Sequence, residues 1–145
     1  MQNQFEQILS NLGNILGIPL QPDENNTCQI RFNNNIVIQL GISQDTRDLI
    51  ISSTLGELQE SPYRNSIFEI ALKINGASQI NISGYIGYGE VSQQLYLFDI
   101  LRMDFIKEDI LSTYLTNFSF HANIWINALE NNTIPALNDF GLYHM

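Results

Sequence analysis

The chain of 145 residues is poor in basic residues, cysteine and histidine, and each scarcity removes a class of function. Lysine and arginine total 6 against 15 aspartates and glutamates, a formal net charge of −9. Nucleic acid and anionic membrane surfaces are bound through basic patches, so neither is an expected partner. One cysteine, Cys28, cannot form an intrachain disulfide. Two histidines and one cysteine at unrelated spacings do not make a transition-metal site. The acidic pairs Asp23-Glu24 and Glu108-Asp109 lack calcium-loop spacing, so no metal or other cofactor is expected. No apolar run approaches the ~20 residues of a membrane-spanning helix. The opening Met1-Gln-Asn-Gln-Phe-Glu lacks the basic and apolar regions of a secretory signal, which makes the cytoplasm the expected location.

What is present is apolar and rich in amides. Hydrophobic residues make up 44% and charged ones 14%, which excludes an acidic disordered chain. Asparagine and glutamine crowd the loops, at Asn25-Asn26, Asn33-Asn34-Asn35, Gln93-Gln94 and Asn131-Asn132. The length suits one domain over 1–145, with 131–145 as a C-terminal extension.

Phe5, Ile8, Leu9, Leu12, Ile15 and Leu16 recur at spacings of three and four and predict a helix, which Gly17 and Pro19 end. Cys28–Phe32 and Ile36–Leu40 alternate apolar with polar residues, and β-branched side chains fill Asp48–Leu55. These three runs predict an antiparallel meander. Ser61-Pro62 opens a second helix as N-cap and first residue. In it Ile67, Ile70, Ala71 and Ile74 form one apolar face, while Phe68 and Leu72 lie off it. A helix apolar on more than one side is buried on more than one side, which points to a second subunit. Ile80–Val91 and Gln94–Met103 read as two more strands. Leu95-Tyr96-Leu97-Phe98 is apolar on both faces, so cover on both is expected. A last helix follows Asp104 as N-cap, with a stripe from Ile110 through Phe118, Ala122 and Trp125 to Leu129. Ile134, Leu137 and Phe140 suggest that the extension docks. The predicted fold is α+β, an antiparallel sheet with helices in the order α-β-β-β-α-β-β-α.

A catalytic constellation is not apparent. His121 reads as a helix-face histidine with a local hydrogen bond. Asp99 reads as a solvent-facing edge residue and Asp104 as a cap, although either could serve as general base in a small α+β enzyme. The glycines Gly84, Gly87 and Gly89 do not have phosphate-loop spacing, and no helix or lysine follows them closely. Cys28, among apolar strand neighbours, reads as a buried inert thiol.

Four stretches together resemble one family. Leu12-Gly13-Asn14-Ile15-Leu16-Gly17-Ile18-Pro19-Leu20 is similar to an LGxxLGL signature, and Asp23–Ile30 to a DExGxCxL turn into a strand. Ile74-Asn75-Gly76 with the strands behind it, and the Phe118–Leu129 stretch, follow in the same order. Over roughly residues 5–130 the chain resembles class I type III secretion chaperones, the family of the Tir and YopE chaperones. It departs from the pattern at Asn33, where an acid is usual, and in its extra C-terminal segment. The Phe118–Trp125 stretch and the Gly141–Met145 ending resemble chaperones of obligate intracellular bacteria. Among those is the subunit that pairs with a related chaperone to escort the secretion gatekeeper.

The resemblance implies no enzymatic activity. It implies that the chain binds the N-terminal segment of a secreted effector or gatekeeper through helix 1 and the first strands. Leu12, Ile15, Leu16, Ile18, Ile30, Phe32 and Ile38 are the candidates. It also implies a dimer, with itself or with a related class I chaperone, through the second helix and following strands. Candidates there are Ile67, Phe68, Ala71, Leu72, Tyr85 and Tyr88. The alternatives are the small enzyme named above and an acidic adaptor for a basic partner, whose binding would weaken with salt.

Overall fold

The computed structural model describes residues 3–33, 35–77 and 83–141. Its elements are α1 (Gln4–Leu16), β1 (Thr27–Phe32), β2 (Ile36–Ile42), β3 (Asp48–Glu57), α2 (Pro62–Asn75), β4 (Tyr85–Gly89), β5 (Gln94–Arg102) and α3 (Glu108–Asn131). The architecture is α+β, with the element order read from the sequence. The five strands form one antiparallel sheet in the order β1-β2-β3-β5-β4.

Alternation along the strands decides which face is buried. Cys28 and Ile30 of β1, Ile36, Ile38 and Leu40 of β2, Leu49, Ile51 and Leu55 of β3, and Leu95 and Leu97 of β5 all point inward and are buried. α3 packs across β2 and β3 on this side, α1 lies beside α3, and α2 packs on β4. Leu111, Leu115, Phe118, Ala122, Trp125 and Ile126 of α3 meet Phe5, Leu9 and Leu12 of α1 and the inward strand residues in one core. Each such side chain contributes about 1.5–3 kcal/mol when removed from water.

Three sequence expectations change. Asp104 does not cap α3. It lies in a 3₁₀ turn, Met103–Phe105, and accepts from the Gln4 side-chain amide at 3.2 Å. α3 starts later, after Lys107, with no side-chain cap. Asp99 is not a solvent-facing edge residue, because β5 runs between β3 and β4 and the Tyr114 hydroxyl of α3 donates to its carboxylate. Burial first, and then the Asp99 charge and hydrogen bond, push the Tyr114 hydroxyl well above its ordinary value. The strand expected from Ile80 begins at Tyr85, and 78–82 lie outside the described residues.

β4 is an edge strand that carries an unusual clasp. Ile86 pairs with Leu97 of β5, yet its N–H donates to Asn75 Oδ1 at 2.8 Å and its C=O accepts from Asn75 Nδ2 at 2.9 Å. Both groups of a strand residue project to the same side, so here they point away from β5. The last residue of α2 thus closes the edge of β4 at Ile86. Replacing Asn75 with alanine removes both bonds and should cost about 1–3 kcal/mol, at about 0.5–1.5 kcal/mol per bond, read as a lower urea midpoint with unchanged slope.

Candidate functional site

The helix-1 signature is spent mainly on folding. Gly17 ends α1 in the left-handed region at φ 76°, and its N–H donates to the Gly13 carbonyl at 2.8 Å. The chain then turns back over its own helix. A Cβ on Gly13 would lie 2.5 Å from the Ile18 carbonyl oxygen and 3.3 Å from the Leu20 nitrogen, a contact that backbone atoms do not allow. Leu12 beside it is core at 1% exposure. The second motif is structural as well. The Asp23 carboxylate accepts from the N–H groups of Asn25 (2.8 Å) and Thr27 (3.0 Å) and from the Thr27 hydroxyl (2.8 Å). The bonds to Thr27 are the main reason that this carboxyl titrates below its ordinary value. Cys28 follows, buried, and burial first and the Asp23 charge second push its thiol up, away from nucleophilic reactivity.

The large hydrophobic side chains left outward on α1 and its exit are Ile15 and Ile18, 45% and 44% exposed. Ile15 joins Asn11, Ile106, Lys107 and Asp109 in an open groove. Leu16 and Phe32 are partly covered and pack against the core. Ile30 and Ile38 are buried on the helix-facing side of the sheet. Of the seven residues expected at a client surface, Ile15 and Ile18 are therefore exposed, Leu16 and Phe32 are partly so, and Leu12, Ile30 and Ile38 offer no surface in this conformation.

The sheet face opposite the helices is also apolar. Ile50 lies opposite Ile100, and Phe98 opposite both Ser52 and Tyr85. Ile100, Tyr85 and Phe98 are exposed, and the Tyr85 and Phe98 rings lie 6.3 Å apart. The cover on both faces expected for Leu95–Phe98 is thus present on one face only: Leu95 and Leu97 are buried and Phe98 is open.

A second groove, of about 240 Å³, runs between α2 and β4 and is lined by Phe68, Ala71, Leu72, Ile86, Tyr88 and Leu95, among others. Its wall is rigidly held. The Tyr88 hydroxyl donates to the Leu58 carbonyl at 2.6 Å and accepts from Arg64 Nη1 at 3.3 Å. The Arg64 guanidinium sits 5.4 Å from the Phe68 ring centroid and 5.6 Å from that of Tyr88. Leu72 stands on the rim, 74% exposed. Four residues expected at a subunit contact (Phe68, Ala71, Leu72 and Tyr88) come together here. Ile67 is core, and Tyr85 belongs to the outer sheet face. Sequence reasoning missed Arg64 and Asn75, since neither a stacked guanidinium nor an edge clasp leaves a periodic signal.

These surfaces hold little polar chemistry. Asp99 is engaged by Tyr114 and by its neighbour's N–H, and Asp104 by Gln4. Among the described residues, no three His, Cys, Asp or Glu side chains gather as a metal site. No helix among them is long and apolar enough to cross a membrane.

The arrangement is that of a known family. The model of the Tir chaperone protein (CesT) family matches residues 7–126, and the chain belongs to that family, which comprises chaperones of type III secretion and not enzymes. Comparison with curated proteins gives no significant match. Among solved structures, the fold is similar to a chain of the HopA1–SchA chaperone–effector complex, with TM-score 0.69 and 16% identity over 86% of this chain and 94% of that one. It is similar to a chain of the ExsC–ExsE complex, with TM-score 0.68 and 18% identity over 86% and 92%. A chain of the heterodimeric ExoU–SpcU complex of the Pseudomonas aeruginosa type III secretion system gives TM-score 0.66 and 13% identity over 87% and 98%.

The Gly13 contact makes a direct test of the local argument. Gly13→Ala should destabilise the chain by about 1–3 kcal/mol, the usual cost of overpacking, whereas Asn14→Ala one residue on should change little. Thermal unfolding of the two variants checks this.

Proposed function

We propose that this chain is a cytosolic type III secretion chaperone that binds the N-terminal segment of a secreted effector or gatekeeper and keeps it extended for export. Family membership over residues 7–126 carries this reading. Complexes of similar folds with effectors, SchA with HopA1 and SpcU with ExoU, support it. So does the surface. An unfolded segment needs apolar anchor points that do not require a deep pocket. Ile15 and Ile18, Leu16 and Phe32 at their margin, and the outer sheet face supply such points. The groove of Phe68, Ala71, Leu72 and Tyr88 suits a second chaperone subunit, either another copy of this chain or a related class I chaperone.

Isolation from native cells, with mass spectrometry of the bound polypeptides, tests the function. The expected result is a secreted protein retained through its N-terminal segment, and recovery of small molecules alone overturns the reading. Retention should survive high salt, because apolar anchors are not screened, whereas an acidic adaptor would release its partner. Ile15→Asp with Ile18→Asp should weaken client retention at least tenfold, on the basis of roughly 1.5–3 kcal/mol per buried isoleucine, without changing the fold.

For the subunit contact, sedimentation of the wild-type chain at micromolar concentration should give a dimer, alone or after addition of a related chaperone. Leu72→Asp should shift it to monomer. A monomer under both conditions contradicts the dimer.

A further inference from the structure

The segment after α3 is absorbed by neither the client surface nor the subunit groove, and it lies beyond the residues matched by the family model. Asn132, in the left-handed region at φ 54°, ends the helix. The Tyr63 hydroxyl of α2 lies 2.9 Å from the Ala128 carbonyl and 2.7 Å from the Thr133 carbonyl, which ties the start of the segment to the body. The chain then makes a 3₁₀ turn at Leu137–Phe140, in which the Asp139 carboxylate accepts from the Ala136 N–H at 2.8 Å. This turn delivers Phe140, which is 6% exposed, onto two rings of α3. Phe140 meets His121 edge to face at 5.5 Å and Trp125 at 5.3 Å.

Those two rings are unusual. His121 is 3% exposed and Trp125 is 0%, yet among the described residues His121 Nε2 and Trp125 Nε1 have no hydrogen-bond partner. His121 Nδ1 lies 2.9 Å from the Ser83 carbonyl oxygen. A carbonyl only accepts, so Nδ1 carries the proton and the neutral ring has a bare lone pair at Nε2. A second proton at Nε2 would put a charge into a buried site with no acceptor among the described residues. Besides Phe140, the segment rests on the body through Pro135, which is buried, and Leu137, which packs against the core from a partly covered position.

We propose that the segment 133–141 is a pH-sensitive latch, with Phe140 as its bolt and His121 as its sensor: protonation of His121 releases Phe140 from α3 and uncovers the His121–Trp125 strip. The groups facing the ring support this. Among the described residues these are the Ser83 carbonyl, from the chain before β4, and Phe140 of the latch, while Trp125, four residues on along α3, shares the Phe140 contact and Asp139 is turned to its own backbone. Burial is the leading influence on the ring and holds its titration below the ordinary histidine value of about 6.5, the Ser83 carbonyl acting in the opposite sense. A group with a depressed value in the closed state favours that state when neutral. The latch is therefore fully shut above about pH 6.5 and loosens as pH falls below it. Attraction between an imidazolium and the Phe140 face acts in the opposite direction. It is a modest effect beside the cost of a charge at 3% exposure.

Trp125 is the single tryptophan of the chain, so its fluorescence reads the latch directly. Lowering the pH of the full-length chain from about 7.5 to 5.5 should shift Trp125 emission to the red while far-UV circular dichroism stays constant. His121→Gln should abolish the shift, and His144→Gln, which removes the other histidine, should leave it intact. Phe140→Ala should be red-shifted already at neutral pH. By reciprocity, removing Phe140 must also raise the His121 titration toward the ordinary value, followed by NMR of the imidazole in a variant that keeps the histidine. Emission that is constant with pH, a blue shift on acidification, a shift that persists in His121→Gln, or a His121 titration indifferent to Phe140→Ala would each overturn the proposal.

Discussion

The contact between the inner sheet face and the Leu111–Ile126 stripe of α3 is the interaction on which the rest of the structure depends. It couples two periodicities. The strands place every second residue inward, at Ile36, Ile38 and Leu40 and at Leu49, Ile51 and Leu55. α3 answers with Leu111, Leu115, Phe118, Ala122 and Trp125, alternately four and three residues apart, and with Ile126, four on from Ala122. α1 then has somewhere to lie, because its own buried residues, Phe5, Leu9 and Leu12, complete the cluster that α3 begins. At about 1.5–3 kcal/mol per buried side chain, this layer outweighs every polar contact in the chain. The ion pair between Lys73 and Glu69, at 3.7 Å and exposed, is worth well under 1 kcal/mol by comparison.

A core built on one face leaves the other face uncovered, and the proposed binding surfaces follow from that asymmetry. Ile100, Tyr85 and Phe98 stay outside because their strands must alternate and no helix among the described residues lies over them. Amide side chains on the loops, and a net charge of −9, keep such a surface soluble without strong attraction to other acidic molecules. The scarcity of charge and the surplus of apolar residues thus go together: little is spent on salt bridges, and apolar side chains remain outside for the contacts proposed above.

Most of the architecture was legible in the sequence because it rests on local pattern. The stripe of α1, the alternation in β1 and β2, the Ser61-Pro62 start of α2 and the apolar run of α3 each fall within a few turns or one strand. Two kinds of feature were not legible. The first is direction. Leu12 and Ile15 are equally apolar and three residues apart, yet one is core and the other open, and only the packing of α1 beside α3 decides which. Ile30 and Ile38 are core for the same reason. The second is long-range polar contact: Asn75 on the edge of β4, Tyr114 on Asp99, Ser83 on His121. Asp104 misled because an aspartate ahead of an apolar helix reads as a cap. Here Met103 is buried and draws the chain through a 3₁₀ turn first, so the helix begins three residues later with Lys107 before it.

The close approach of the chain to Gly13 has a consequence for how such a protein can diversify. The residues that make the signature recognisable, Leu12, Gly13 and Gly17, are occupied in holding the chain against its own helix. Ile15, which faces outward between them, is free of that task, and at Ile18 the backbone shares it, its N–H donating to the Gly13 carbonyl at 3.0 Å, while the side chain stays outside. On the proposed client surface, the backbone of this turn keeps the fold while the outward isoleucine side chains are open to change, so a new client would be met by rewriting side chains and leaving the scaffold beneath as it is.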